Sequence, residues 1–436
     1  MKELPGKYKE EMQRLLKEEY EDYLQSFEKP SYHGLRVNTM KISVKDFLSS
    51  FPYELKPVPW TSDGFYYNPQ DPVTKHPYYH AGLYYVQEPS AMLPGEVMPV
   101  QPYDRVLDVC AAPGGKSTEL GVKLHGTGVL FANDVSVSRC QPLLKNIERF
   151  GIRNAFVMAE DSDRFKDRFQ GFFDRILIDA PCSGEGMFRK EPHLIESWKE
   201  RDSSYYVPIQ KKIVRNCVSM LKEGGTIVYS TCTFSPAEDE EIVRYALSLD
   251  PELHVVPVPH TEGFVQNAYG TKLFPHRIHG EGHFVSILQK GKYTEHADVA
   301  SHIDEFVQAP VHMNLMDGSF QNIQNRKYYV PDIPVDLKGL RVLRSGLLLG
   351  KAKKNRFVPE GTLPLSLKEG EYDHVIDFDQ KDERVMRYLK GETLAISDRN
   401  AEDGTAVVCV DGHPLGFAKI NDGHFKNQYP KGWILH

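Results

Sequence analysis

The stretch that most constrains the fold covers residues 106–120 and reads VLDVCAAPGGKSTEL. Three apolar residues and an acidic one lead into a Gly-Gly pair, and a helix-favouring run follows. A buried parallel strand enters a tight turn and then a helix in this way. In open α/β sheets the ligand lies at that crossing, because glycine lets the backbone come close and the helix offers free N–H groups. The pattern predicts a ligand loop, although an ordinary strand-turn-helix crossover has the same appearance.

The end of this stretch also matches the end of a phosphate-binding P-loop, at Gly115, Lys116 and Ser117. That motif requires a glycine where this chain has Cys110, and Pro113 stiffens the loop further. A nucleoside triphosphatase is therefore not expected.

Apolar strands and helices alternate between residues 100 and 290. Strands that end in acidic or polar residues are predicted at 128–134, 155–161, 172–183 and 224–233. The alternation indicates a doubly wound, Rossmann-like α/β sheet with parallel strands. Right-handed crossovers bring the ends of such strands to one edge. The residues expected to converge there on the Gly114–Gly115 loop are Asp134, Asp161, Asp179 and Cys232.

Composition limits the class of protein. The chain has 436 residues, 40% of them hydrophobic, so two or three domains with a sizeable core are expected. The net charge of −7 means that any binding to RNA has to come from local patches. The six cysteines are scattered without metal-type pairs, so we expect no metal site and no disulfide framework. We expect reduced thiols in a cytoplasmic, monomeric protein without a secretion signal or membrane segment.

The acidic strand ends suggest a nucleoside cofactor. Asp134 closes the strand after the glycine loop, where a carboxylate accepts hydrogen bonds from the ribose hydroxyls in Rossmann-like sheets. A role as a helix cap is the alternative for Asp134 and also for Asp161. Cys182 and Cys232 follow two strands; a lone cysteine is usually a small buried apolar residue, but two beside a nucleoside site suggest a nucleophile. Either Arg189 or Lys190 could supply the cation that lowers its pKa.

The motifs CAAPGGK (110–116), DAPCSGEGMFRK (179–190) and YSTCTFSPAEDE (229–240) together resemble the RNA (cytosine-5) methyltransferases of the Sun and nucleolar-protein family. The flanking segments LRVNT (35–39), YYVQEPSAM (84–92) and FPHRIHGEGHF (274–284) are similar to those of the same family. The resemblance therefore covers roughly residues 30–290. The carboxy-terminal part is similar, more loosely, to the multisite 16S ribosomal RNA methyltransferase F subgroup.

The resemblance implies S-adenosylmethionine as cofactor and methylation of cytosine carbon-5 as the reaction. Cys232 matches the family's attacking thiol, which adds to carbon-6 because carbon-5 alone is a poor nucleophile. Cys182 matches the cysteine associated with product release. The implied cofactor contacts are Cys110, Ala111, Ala112, Pro113, Gly114, Gly115, Lys116, Asp134, Asp161 and Asp179. Asp179 has a second possible role, since it could instead face the base and support its protonation.

Three other functions stay open. A DNA cytosine methyltransferase would use the cysteine of the Pro-Cys motif, here Cys182, whereas the Thr231-Cys232-Thr233 segment favours RNA. Transfer RNA could replace 16S ribosomal RNA, or the small ribosomal subunit, as the substrate. The third alternative is a non-catalytic RNA-binding assembly factor with this fold. Either methyltransferase needs its target base unpaired or flipped out of the helix.

Four regions are predicted. They are an amino-terminal helical and small α/β RNA-binding domain (1–95), the methyltransferase domain (96–292), a linker and intermediate region (293–365), and a β-rich PUA-like RNA-binding module (366–436). Aromatic residues are dense between residues 59 and 85, where they could stack on unpaired bases or fill a core. Basic candidates for RNA contact are Lys351, Lys353, Lys354, Arg356, Lys419, Lys426 and Lys431; Trp433 could bind RNA or close the core of the module.

Overall fold

The computed structural model describes residues 3–292, 302–308, 311–316, 318–353, 356–395, 403–422 and 424–435. Residues 293–301, at the start of the predicted linker region, and Lys354 lie outside these described residues. Within them, no helix has both the length and the apolar character needed to cross a membrane.

An antiparallel sheet flanked by helices forms the amino-terminal region. Its helices are α1 (Gly6–Leu16), α2 (Tyr20–Ser26), α3 (Val44–Ser50), α4 (Pro77–His80) and α5 (Leu93–Glu96). Its strands are β1 (Gly34–Val37), β2 (Leu55–Pro57), β3 (Gly64–Tyr67) and β4 (Tyr84–Gln87), in the spatial order β2-β3-β1-β4. Ser43 caps α3, because its side-chain oxygen accepts a hydrogen bond from the Asp46 N–H at 3.1 Å.

The central region alternates strands and helices, as predicted. Its helices are α6 (Gly115–Lys123), α7 (Val137–Phe150), α8 (Leu194–Glu200), α9 (Ser203–Met220) and α10 (Glu240–Leu249). Its strands are β5 (Arg105–Asp108), β6 (Val129–Asn133), β7 (Ala155–Met158), β8 (Phe173–Asp179), β9 (Leu221–Thr231), β10 (Leu253–Val256), β11 (Phe264–Asn267), β12 (Gly270–Leu273) and β13 (His283–Lys290).

The carboxy-terminal region is rich in β-structure. Its elements are β14 (His302–Gln308), β15 (Val311–Met316), β16 (Gly318–Ile323), β17 (Arg326–Pro331), β18 (Val342–Ser345), β19 (Leu347–Lys353), β20 (Arg356–Pro359), β21 (Val375–Phe378), α11 (Glu383–Leu389), β22 (Leu394–Ala395), β23 (Gly404–Val410), β24 (His413–Asn421) and β25 (His424–Asn427). Strands β16, β17, β19 and β20 form one sheet, and the last sheet has the order β21-β23-β24-β25-β22.

The large central sheet has the order β11-β12-β13-β9-β8-β5-β6-β7-β18, with β10 also paired to β13. The segment from β9 to β7 is parallel, and its strands are buried on both faces, which explains their continuous apolar runs. The rest of the sheet differs from the prediction of parallel strands. Strands β10 to β13 extend one side antiparallel, and β18 from the carboxy-terminal region adds an antiparallel edge beside β7.

The carboxy-terminal module packs against both other regions. The Tyr78 hydroxyl of α4 donates to the Asp411 carboxylate at 2.7 Å. Trp433 is half-buried against α7, with the Lys145 ammonium 4.9 Å from its ring centroid, so the tryptophan joins the module to the central region. Near α7, Arg153 and Glu371 form a buried ion pair that includes a 2.9 Å hydrogen bond.

Breaking the Arg153–Glu371 pair should loosen this junction. Glu371→Ala leaves a buried guanidinium without that carboxylate, which typically costs about 3–5 kcal/mol. We expect a lower melting temperature and faster proteolysis of the carboxy-terminal region. Glu369→Ala, at an exposed neighbouring position, is the matched control. Identical melting and proteolysis of the two variants would contradict a stabilising role for the pair.

Candidate active site

The predicted ligand loop lies between β5 and α6. Gly114 precedes α6 with φ +111°, a left-handed conformation that favours glycine. A Cβ on Gly115 would lie 3.0 Å from the ring of Tyr85, so glycine keeps this cradle open. The loop borders a cavity of about 210 Å³. The side chains and backbone that line it include Tyr85, Glu88, Asp108, Cys110, Ala111, Ala112, Pro113, Gly115, Lys116 and Asp179.

Asp108 at the end of β5 is a site residue that sequence reasoning did not single out. Its Oδ2 accepts a hydrogen bond from the Ser117 hydroxyl at 2.6 Å, whereas its buried Oδ1 has no hydrogen-bond partner among the described residues. Burial raises the pKa of Asp108 to about 7. The only sequence signal was an acidic residue directly before the loop.

Lys116 and Asp179 form an ion pair across the cavity. The Lys116 ammonium donates to Asp179 Oδ2 at 2.7 Å, and the Ser230 hydroxyl donates to Oδ1 at 2.8 Å. Burial alone would raise the pKa of Asp179, but Lys116 and His283 together outweigh it and hold that pKa below its ordinary value. The His283 Nε2 lies 3.7 Å from Asp179, and His283 is a second residue that the sequence did not single out.

The two candidate cysteines meet beside this ion pair. Their sulfur atoms are 3.3 Å apart, Cys182 beyond the end of β8 and Cys232 directly after β9. The hydrogen bond with Cys232 and burial raise the pKa of Cys182 well above its ordinary value. Cys182 therefore remains a thiol that can donate its proton towards the Cys232 sulfur. Burial lowers the pKa of Lys116, but its interactions with Asp179 and, to a smaller extent, with Cys232 raise it, so Lys116 and Cys232 are electrostatic neighbours.

A network of polar groups holds the two cysteine loops together. Glu238 accepts hydrogen bonds from the Ser183 N–H at 3.0 Å and from the Gln210 amide at 2.8 Å. The hydroxyls of Ser183 and Thr233, each next to a cysteine, are 2.8 Å apart. These contacts fix the backbone on both sides of the cysteine pair.

The expectation that Arg189 or Lys190 activates a cysteine is corrected. Arg189 Nε donates to Glu281 at 2.8 Å and its other nitrogens bind carbonyl oxygens, so its charge is engaged away from the sulfur atoms. The Lys190 side chain is exposed. Lys116, which comes from the ligand loop, is the cation beside the cysteines. The interaction between Lys116 and Cys232 could not be predicted from the sequence, because the two residues are far apart along the chain and the folded sheet brings them together.

The two remaining acidic candidates have structural partners. Asp134 Oδ1 accepts from the Ser136 N–H at 3.0 Å, and its Oδ2 lies 3.3 Å from Arg139. Arg139 also donates to the Ala112 carbonyl at 3.1 Å, which ties Asp134 to the ligand loop. Asp161 caps a short helix and pairs with Lys212 at 2.6 Å. The assignment of both carboxylates to a cofactor stays a prediction.

Asp108 should make stability depend on pH. The unfolded carboxyl ionises near its ordinary pKa of 3.8 and the folded one near 7, so folding loses free energy as the pH rises through that interval and the loss is complete above it. Asp108→Asn removes this penalty. We expect its melting temperature to match the wild type near pH 4 and to exceed it above pH 7.

The exposed Asp167→Asn is the control for this measurement. Parallel melting curves of Asp108→Asn and wild type over the whole pH range would show that the buried carboxyl carries no such penalty.

Comparisons with known proteins cover nearly the whole chain. Family models match residues 4–89 (N-terminal domain of 16S rRNA methyltransferase RsmF), 96–289 (16S rRNA methyltransferase RsmB/F), 305–367 (RsmF rRNA methyltransferase first C-terminal domain) and 375–435 (Methyltransferase RsmF PUA domain). The Rossmann-like fold with an amino-terminal domain and a PUA-like module is thereby confirmed.

Individual relatives agree with these models. Ribosomal RNA small subunit methyltransferase F of Citrobacter koseri is 29% identical over 94% of this chain and 92% of its own length. The same-named protein of Erwinia tasmaniensis is 29% identical over 98% and 96%. The solved structure of a methyltransferase homolog from Pyrococcus horikoshii is 29% identical and covers 64% of this chain and 93% of its own, with a TM-score of 0.56.

S-adenosylmethionine, the expected cofactor, is compatible with the residues around the ligand loop and with the methyltransferase activity for which the relatives are named. The open cradle at Gly115 leaves room for a ligand, and the unpaired Asp108 oxygen suits an amino group such as that of S-adenosylmethionine. S-adenosylmethionine is the cofactor of this methyltransferase. Because the four family models match successive segments along nearly the whole chain, the protein belongs to the 16S rRNA methyltransferase RsmB/F family.

Proposed function

We propose that this RNA methyltransferase methylates carbon-5 of cytosine through a covalent bond between Cys232 and the base. The observation that carries the proposal is the 3.3 Å approach of two thiols beside the Lys116–Asp179 pair. A methyltransferase acting on a nitrogen or a ribose hydroxyl has no need of a thiol pair. Addition of a thiolate to carbon-6 is the step that makes carbon-5 reactive.

The protonation of the pair favours Cys232 as the nucleophile. Since the pKa of Cys182 is strongly raised, Cys182 holds its proton and can share it with the neighbouring sulfur. The ammonium of Lys116 stabilises negative charge on Cys232. This asymmetry argues against a DNA-type mechanism, in which Cys182 would attack.

The ligand loop and its neighbours are suited to hold the cofactor. Bound S-adenosylmethionine supplies the methyl group that is transferred to carbon-5. Asp108 would accept from its amino group, and Asp134 from its ribose hydroxyls. Cys110 to Lys116 would surround it, and Asp161 would lie at the far end of the site. Asp179 lies between this loop and the cysteines, and its low pKa keeps it ionised, so it is suited to accept a hydrogen bond from the exocyclic amino group of cytosine or from ring nitrogen N3 once N3 is protonated.

Cys182 is suited to the release step. The neighbouring Cys232 is the largest cause of its raised pKa. Once the Cys232 sulfur is bonded to carbon-6, it no longer carries a charge and that cause disappears. Cys182 can then release its proton to solvent, and its thiolate accepts the carbon-5 proton. The electron pair of the carbon-5–hydrogen bond forms the carbon-5–carbon-6 double bond as the Cys232–carbon-6 bond breaks, and Cys232 leaves as a thiolate.

The proposed substrate is 16S ribosomal RNA or the small subunit that contains it, since the relatives are named for that activity. The carboxy-terminal module supplies a plausible contact surface. Lys419 and Lys426 are exposed cross-strand neighbours on β24 and β25, so their charges lie side by side. Such phosphate contacts would compensate for the net negative charge of the chain. We propose that the protein acts in the cytoplasm as a monomer.

Replacing Cys232 by Ala should abolish methyl transfer. We expect no tritium incorporation from labelled S-adenosylmethionine into RNA, while calorimetric affinity for the cofactor stays at the wild-type level. Cys409→Ala, which removes a buried thiol from the carboxy-terminal module, should retain wild-type turnover. If Cys232→Ala turned over normally, Cys232 would not be the nucleophile.

Replacing Cys182 by Ala should instead trap the intermediate. We expect an RNA–protein adduct that resists denaturing electrophoresis and that the double variant Cys182→Ala/Cys232→Ala no longer forms. Freely released methylated product would contradict the role of Cys182 in release. An adduct formed by Cys232→Ala but not by Cys182→Ala would reverse the two roles.

The substrate is tested with separately purified 16S ribosomal RNA, small subunits and transfer RNA. Mapping of the labelled nucleotide should find 5-methylcytosine in one of the ribosomal substrates. Label in transfer RNA alone would retain the chemistry and refute the proposed substrate. Absence of label from all three, with the cofactor bound, would favour the assembly-factor alternative.

A further inference from the structure

We propose that Tyr32, Tyr66 and His279 form a surface, here called the aromatic platform, that stacks an unpaired base next to the target cytosine. This inference rests on the proposed function and specifies how the same site holds single-stranded RNA. The rings of Tyr32 and His279 are stacked, with centroids 4.5 Å apart and an interplanar angle of 16°. The Tyr66 ring stands edge-on, 6.0 Å from each of the other two.

The platform is open to solvent. His279 is exposed, and Tyr32 and Tyr66 are half-buried. Aromatic groups that serve only a core are usually enclosed, as Tyr78 and Tyr84 are in the same region. The Tyr66 hydroxyl adds a second observation, because it is shielded from water and has no hydrogen-bond partner among the described side chains and backbone.

Glu88 connects the platform to the catalytic cavity. It lines the cavity, and its Oε1 accepts from the Glu281 N–H at 2.8 Å, two residues beyond His279. Gly282 is the next residue. A Cβ placed on Gly186 would lie 2.9 Å from the Gly282 carbonyl oxygen and 3.1 Å from the Cys232 carbonyl oxygen, so both carbonyl groups lie against Gly186. Three residues of chain span at most about 11 Å. The platform is therefore close enough to the cysteines to hold a neighbouring nucleotide.

The charges around the platform suit a phosphate backbone. The Arg189 guanidinium lies 6.0 Å from the Tyr32 ring centroid but is paired with Glu281, so the exposed Lys190 that follows it is the cation available to a phosphate. Burial and the charge of Lys190 lower the pKa of His33, which places that cation near the next residue after Tyr32. Exposed aromatic rings beside cations are the arrangement by which proteins bind unpaired bases of RNA. A protein partner would be expected to cover a larger apolar surface than three rings provide.

The test uses a short single-stranded RNA with one 5-fluorocytidine and a 2-aminopurine placed in turn on each side of it. In 5-fluorocytidine a fluorine replaces the carbon-5 hydrogen. After methyl transfer from S-adenosylmethionine there is no carbon-5 proton to remove, so the RNA stays attached to Cys232. We expect the fluorescence of one of the two aminopurines to be quenched by stacking. Tyr32→Ala and His279→Ala should abolish the quenching and weaken the binding of the unmodified RNA roughly 5- to 150-fold.

The controls separate the platform from the chemistry. His254→Ala, at an exposed position on β10, should change neither quenching nor affinity, and all three variants should bind S-adenosylmethionine like the wild type. An adduct whose quenching survives both platform substitutions would overturn the platform and leave the proposed function intact. If no adduct forms, the proposed function fails, and the affinities for unmodified RNA then decide the platform alone. The platform would be refuted if the wild type and the Tyr32→Ala and His279→Ala variants bound the unmodified RNA with equal affinity, or if the wild type did not bind it.

Discussion

The ion pair between Lys116 and Asp179 is the contact on which the site depends. Lys116 belongs to the ligand loop after β5, and Asp179 ends the neighbouring strand β8, so the pair joins this loop to the strand that leads to Cys182. Ser230 on β9 donates to the same carboxylate and brings in the strand that leads to Cys232. Because a largely buried charge is costly when it loses its partner, these three strand ends are held in one arrangement before any ligand arrives.

The arrangement assigns different tasks to chemically identical groups. The hydrogen bond to Cys232 and burial raise the pKa of Cys182, whereas Cys232 is the cysteine that interacts with the charge of Lys116. The acidic residues differ in the same way. Asp179 is held ionised by Lys116, whereas Asp108, one strand away, has a pKa near 7 because burial dominates. Local environment, and not residue type, therefore determines which group is suited to carry charge and which to donate a proton.

Sequence patterns were sufficient to predict those features that follow general rules of α/β sheets. The parallel strands, the loop at Gly114 and the meeting of Cys182 with Cys232 follow from the alternation of elements and the common direction of the strands. Long-range pairing does not follow from such patterns. Nothing near Arg189 indicates that Glu281 will bind it, and nothing near β18 indicates that this strand will join a sheet whose other strands end at residue 290. Partner choice between distant segments depends on the packed interior, which local periodicity does not describe.

The amino-terminal helices have an unexpected consequence for the order of assembly. Tyr8, Met12 and Tyr23 pack on Phe188, Ile195, Trp198, Phe234 and Phe274, around the loop that follows Cys182. Glu19 binds Arg277, which is 258 positions further along the chain. Since a ribosome makes the chain towards its carboxy terminus, these helices are made before the segments on which they dock, and they have no docking surface until the central sheet is nearly complete. The helices α1 and α2 can therefore dock only after the segments that receive them, up to Arg277, have been made and folded.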